Sequence, residues 1–371
     1  MQTSQSAIET TQLPFTPTPE IDPARADAFA GQVVGLVNGG CLALMVSIGH
    51  QTGLFDRLAA LPASTSDEIA AAAGLNERYV REWLGAMVTG RIVEYDPAAR
   101  TYRLPPEHAS SLTREAGPHN LGALTQYVAL LGNVEQAVVD VFRRGGGLDY
   151  AAFPRFHALM AEDSARVMEA TLHTRTLQLV PGLPDRLEAG IDVADVGCGR
   201  GGAILLMARR FARSRFLGLD FAQEAIEWAR GEASREGLTH ARFTVQDAAT
   251  FGGPPAYDLI TAFDAIHDQA HPRRVLRGIR EALRPDGVFL MVDIATSSNL
   301  ERNLEHPLAP FLYTVSSMHC MSVSLAHGGE GLGTCWGEEK ARELLAEAGF
   351  SRVELARIES DPVNGYFICR P

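Results

Sequence analysis

Apolar and polar residues change rhythm once along this chain, near Gly190. Before that point, apolar positions recur mostly at three- and four-residue spacing, the period of an α-helix. After it, short apolar runs alternate with glycine-rich turns and helical stretches, the rhythm of a parallel sheet covered on both faces. Residues 27–61 read as helical, with apolar side chains dense through 41–48. That stretch is expected to be too short and too interrupted for a membrane span, so a buried or dimer-forming helix pair is the better reading.

Residues 66–104 carry a compact pattern. Ser66 is a plausible cap for a first short helix that Gly74 breaks, and Asn76 caps a second. In that second helix Val80, Trp83, Leu84 and Met87 share one face, and Gly90 ends it. Residues 92–95 and 101–104 then flank an Asp-Pro turn, which predicts a hairpin. Helix, turn, helix and two-stranded wing make a winged helix. Residues 121–187 read as helical again, broken at Gly145-Gly146-Gly147 and near Pro154. The expected division is a disordered arm at 1–24, a helical dimerisation and winged-helix domain at 25–115, a helical connector at 116–190 and an α/β domain at 191–371.

Composition narrows the function classes. Of the 371 residues 46% are hydrophobic and 21% charged, as in an ordinary soluble protein. Residues 1–23 hold no basic residue ahead of an apolar run, so no secretory signal is expected there. The net charge is -12, and the winged segment holds six acids against five bases. A phosphate-binding domain should be basic, so nucleic acid is not an expected partner. Five cysteines without a C-x-x-C pair argue against a disulfide framework or structural zinc and fit a reducing cytoplasm.

The chemistry gathers after Gly190. An apolar run ends in Asp195, Val196 and then Gly197-Cys198-Gly199-Arg200-Gly201-Gly202. Glycines at a strand–helix turn let the backbone approach a ligand. Gly197, Gly199 and Gly202 also satisfy G-x-G-x-x-G, so a dinucleotide-dependent oxidoreductase stays open at this point. Asp195, two residues ahead of the first glycine, suits a ligand ammonium better than a pyrophosphate. Asp220 ends the next strand and could accept ribose hydroxyls from either cofactor. Asp247 ends the strand after that, placed for an adenine amino group. Strands at 257–263, 288–293, 352–358 and 365–369 complete a set of seven.

This combination resembles the class I S-adenosylmethionine-dependent methyltransferases. The residues that carry the resemblance are Asp195, Gly197, Gly199 and Gly201 of a D-x-G-x-G-x-G loop, the acid Asp220, the Asp247 site, and the L-x-P-x-G turn at Leu283–Gly287. It covers residues 191–371 and implies a Rossmann-like seven-stranded methyltransferase sheet, with S-adenosylmethionine as cofactor. The site it implies comprises those residues with Cys198, Phe221, Ala248, Phe263 and Asp264. Asp286 departs from the glycine common at that turn. The winged helix ahead of the sheet resembles small-molecule methyltransferases in which such a domain dimerises.

His267-Asp268 follows the fourth strand and looks like the His-Asp motif of small-molecule O-methyltransferases, which implies His267 as general base. Independently, the loop leaves the carboxyl end of a strand beside the glycine loop, where doubly wound sheets bind ligands. Imidazole is also the side chain best suited to take a proton near neutral pH. Asp268 is expected to orient it. His271-Pro272 is expected only to start a helix. Tyr313, Met318, His319 and Trp336 are expected to wall a small-molecule substrate pocket, and no metal site is expected. The acceptor atom, O, S or N, stays open. So does a second function class, a winged-helix regulator that senses S-adenosylmethionine. A homodimer is expected, because the apolar helices at 27–61 and 121–141 would otherwise expose large patches.

Overall fold

The computed structural model describes residues 21–371. The arm expected at 1–24 lies outside the described residues up to position 20, and helix α1 (Pro23–Thr52) already begins inside it. α1 is 30 residues long, and Arg25 and Asp27 are its only Asp, Glu, Lys or Arg residues. It is long and apolar enough to cross a membrane, the one such helix among the described residues. The sequence reading undervalued it because its interruptions are glycine, asparagine and glutamine rather than charge. Helix α2 (Leu54–Ala60) follows a break at Gly53, so the expected pair forms from one apolar stretch.

The winged helix is built as its caps dictate. Helix α3 (Ser66–Ala73) is capped by Thr65, not by the expected Ser66. The Thr65 hydroxyl accepts from the Glu68 backbone N–H, while the Glu68 carboxylate accepts the Thr65 N–H at 2.8 Å, a reciprocal capping box. Helix α4 (Glu77–Thr89) is capped by the Asn76 side chain and buries Val80, Trp83, Leu84 and Met87. The Trp83 indole N–H donates to the Met45 carbonyl at 2.8 Å and the ring meets Phe55 edge-on. Strands β1 (Glu94–Asp96) and β2 (Thr101–Arg103) pair antiparallel as the wing.

The larger sheet has seven strands in the order β5-β4-β3-β6-β7-β9-β8. β3 (Asp192–Val196), β4 (Arg215–Asp220), β5 (Ala241–Val245), β6 (Tyr257–Phe263) and β7 (Leu283–Ile294) run parallel. β9 (Asp361–Arg370) pairs antiparallel with both β7 and β8 (Arg352–Ile358). β7 and β9 are longer than the sequence suggested, because Leu283 pairs with Tyr257 ahead of a register shift and β9 starts its hairpin at Asp361. Two apolar clusters, one around Ile204, Met207 and Phe211 and one around Val275, Leu276 and Ile279, pack helices onto the sheet. The chain leaves β3 toward β4 on one side and returns to β6 on the other. Sheets of this kind bind ligands at such a reversal, here outside the carboxyl ends of β3 and β6.

Candidate functional site

The glycine loop after β3 is shaped by what a side chain would strike. Gly197, Gly199 and Gly201 have φ of 73°, 52° and 73°, the left-handed region that favours glycine. A Cβ on Gly197 would lie 2.5 Å from the Ala265 Cβ, and one on Gly201 would lie 2.4 Å from the Phe243 ring. A Cβ on Gly199 would meet nothing within 4 Å. The first and third glycines therefore serve packing, and the second presents bare backbone to open space. The loop is stitched to β4: the N–H groups of Gly197 and Cys198 both donate to the Leu219 carbonyl, and that of Gly199 donates to the Asp220 carboxylate at 2.9 Å.

Three acids line these strand ends. Asp195 is buried, and one oxygen accepts the Thr261 hydroxyl at 2.7 Å. Burial pushes its carboxyl up to about 7. Asp220 uses its other oxygen to accept the Ala222 N–H. Asp247 is exposed and caps the short turn that begins at Ala248 through the Ala249 N–H. Phe221, 45% exposed, lies against the Tyr150 ring at 4.9 Å.

The loop after β6 turns at Asp264, whose φ of 50° is rare for a non-glycine residue. The Asp264 N–H donates to the Val292 carbonyl. This brings His267 over the end of β7, where its Nδ1 lies 2.8 Å from Asp293 Oδ1 in a buried pair. The same oxygen accepts the Trp336 indole N–H at 3.1 Å and the Ile294 N–H at 2.8 Å. Burial works to lower the His267 pKa, but the facing Asp293 carboxylate and the Cys320 thiol beside the ring overcome it and lift it well above the usual value.

Asp268 does not orient His267. Its carboxylate accepts the Tyr150 hydroxyl instead, while Asp293 holds the imidazole. The reason is geometric: consecutive loop residues point apart, whereas the end of the neighbouring strand faces the ring. Trp336 is not a pocket wall either, being a core residue that steadies Asp293. Tyr313 is exposed and its hydroxyl accepts from the Asn303 amide. Met318 packs against the apolar cluster of Tyr127, Phe153 and Phe156. His319 is fully buried, stacked on Phe156 at 3.6 Å with Phe153 and Tyr150 edge-on. Sequence reasoning missed Asp293, Tyr150 and Phe156. Only Asp293 carried a signal, as an acid ending a parallel strand.

Residues 187–355 match the family described as "Methyltransferase domain", and residues 40–114 match the "Rv2258c-like winged HTH domain". Residues 187–355 are thus a methyltransferase domain. A ubiquinone biosynthesis O-methyltransferase of Actinobacillus pleuropneumoniae is 31% identical over 110 residues, 28% of this chain and 46% of that protein. The chain thus spans less than half the length of such curated relatives. A solved putative O-methyltransferase from Nostoc punctiforme superposes with a TM-score of 0.69 at 18% identity, over 95% of this chain and all of that one. Human N-acetylserotonin methyltransferase, solved with S-adenosylmethionine, does so with 0.65 at 16% identity, over 96% and 99%. Identities this low speak for a shared fold.

The residues of this domain fit S-adenosylmethionine, the cofactor its match implies. Bare backbone at Gly199 leaves the close approach such a ligand needs. Asp195, whose burial disfavours its charge, gains from a cationic amino group nearby, and a pyrophosphate would be repelled there. The site residues and the two domain matches favour neither the oxidoreductase nor the regulator reading.

Proposed function

We propose that this protein transfers a methyl group from S-adenosylmethionine to a hydroxyl of a small molecule, with His267 as general base and Asp293 as the residue that positions it. The observation that carries this reading is the buried His267–Asp293 pair at the ends of β6 and β7, one strand from the glycine loop. A thioether or a neutral amine needs no base, whereas a hydroxyl does. S-adenosylmethionine supplies a sulfonium methyl with a good leaving group. Asp195 and the Gly197–Gly201 backbone would hold its amino-acid end, Asp220 the ribose, and Asp247, with Phe221 and Ala248, the adenine. Asp293 fixes the Nδ1 proton of His267, leaving Nε2 to take the substrate proton.

Incubation with labelled S-adenosylmethionine and a panel of phenols, thiols and amines, followed by mass spectrometry, tests the proposal. A methyl ether is expected. A methylated thiol or amine whose yield His267→Ala leaves unchanged would overturn it.

In our reading residues 191–371 are the catalytic domain, and the winged helix belongs to a cytoplasmic homodimer rather than to DNA. Phe29, Val34, Leu36 and Val37 of α1 are each more than half exposed. Gly31, Gly35 and Gly39 recur every fourth residue in the same helix. Each exposed glycine costs a helix about 1 kcal/mol, which close approach of another helix would offset. Light scattering is expected to show two copies, and Leu36→Glu with Val37→Glu is expected to give one.

A further inference from the structure

His319 is the one buried histidine near the site with neither ring nitrogen bonded to any described group. An imidazole with no exposure and two orphaned nitrogens is costly. Such groups persist where something outside the chain completes them. The backbone beneath it is irregular as well. Ser316–Cys320 forms a single π-helical turn, a feature concentrated at functional sites. That turn places His319 among aromatic rings and Cys320 beside His267. Tyr150, edge-on to His319, reaches the same loop through its bond to Asp268. Burial, reinforced by the nearby His267 and His157, holds the imidazole pKa down at about 3. The ring is therefore neutral at working pH, with one donor and one acceptor to offer.

Building on the reading of His267 as base, we propose that His319 determines specificity, hydrogen-bonding a second polar substituent on an aromatic acceptor whose hydroxyl is methylated. The rings of Tyr150, Phe153 and Phe156 favour a flat unsaturated molecule. The two histidines divide its recognition: one removes a proton, the other reads a neighbouring hydroxyl or carbonyl. An acceptor without that second group leaves His319 unpaired and binds more weakly.

The experiment uses the full chain loaded with S-adenosylhomocysteine. Calorimetry compares catechol and 2-hydroxyacetophenone with phenol and 2-ethylphenol, on the parent protein, His319→Phe and His319→Gln. The parent is expected to bind the two-substituent probes roughly tenfold more tightly than their counterparts. His319→Phe abolishes that ratio, and His319→Gln, which keeps a donor and an acceptor, restores part of it. Without ligand, His319→Phe melts no lower than the parent, because an unpaired imidazole contributes little to the fold. The proposal falls if the ratio survives in His319→Phe or is missing in the parent. It also falls if no arene binds while S-adenosylhomocysteine does, or if His319→Phe alone lowers the melting temperature. Failure of S-adenosylhomocysteine to bind would instead overturn the methyltransfer reading beneath it.

Discussion

At the ends of β3 and β4, Asp195 and Asp220 accept hydrogen bonds from Thr261, Gly199 and Ala222. Around His267, four buried polar atoms have no partner among the described residues: Asp264 Oδ1, Asp293 Oδ2 and both His319 nitrogens. The glycine loop leaves one such atom, Arg200 Nε, so the two halves of one sheet edge differ in degree. The glycine-loop half is a backbone device, its turn fixed by left-handed glycines and by the Asp220 brace, and ready in advance of its ligand. The histidine half is made of side chains from separate parts of the chain, with hydrogen-bonding capacity in reserve. The stability held back there is available to a substrate, at a cost the rest of the core must offset.

Breaking the histidine half should produce the largest effect on chemistry. His267→Ala is expected to lower kcat about 100- to 10,000-fold, with S-adenosylhomocysteine binding, measured by calorimetry, within about twofold of the parent because the glycine half is untouched. Next comes the contrast between two acids. Asp293→Asn removes a charged hydrogen bond to His267, worth about 1.5–3 kcal/mol, and should slow turnover roughly 10- to 150-fold. Asp268→Asn should cost less than about threefold, since Asp268 bonds Tyr150. The pH profile sharpens the point. The raised His267 pKa puts the acid limb of kcat/KM above the usual histidine value, and Asp293→Asn should move that limb to lower pH. Equal effects of the two acids would refute the positioning role of Asp293.

A pH-dependent effect is expected in the glycine half. The folded pKa of Asp195, about 7, exceeds its unfolded value. Its stabilising contribution is therefore whole below the ordinary carboxylate range and lost as pH rises through about 7. Asp195→Asn cannot ionise, so it should melt a few degrees above the parent at pH 8 and level with it at pH 4. The same change should weaken S-adenosylmethionine binding about tenfold at pH 8. Unchanged binding there would remove Asp195 from the cofactor grip.

Legibility in the sequence followed the same divide. The Asp195–Gly201 loop could be read because its constraints are local: strand end, positive φ and helix start lie within eight residues. The caps and faces of the winged helix were legible for that reason, with an error of one residue at Thr65, where hydroxyls at two adjacent positions competed for the cap. The pairing of His267 with Asp293 was not legible, since the two are 26 residues apart and meet only because β6 and β7 lie side by side. Tyr150 lies 118 residues from the Asp268 it bonds, and its aromatic character suits a core as well as a site.

By itself the sequence determined the alternation of strands and helices, the glycine turn after β3 and the presence of a histidine at a strand's carboxyl end, because periodicity and backbone sterics act over a few residues. The tertiary structure alone decided which acid holds that histidine, which aromatic rings surround it and which polar atoms are left unmet. Those facts depend on which distant segments share a volume, and packing settles that only when the sheet has closed.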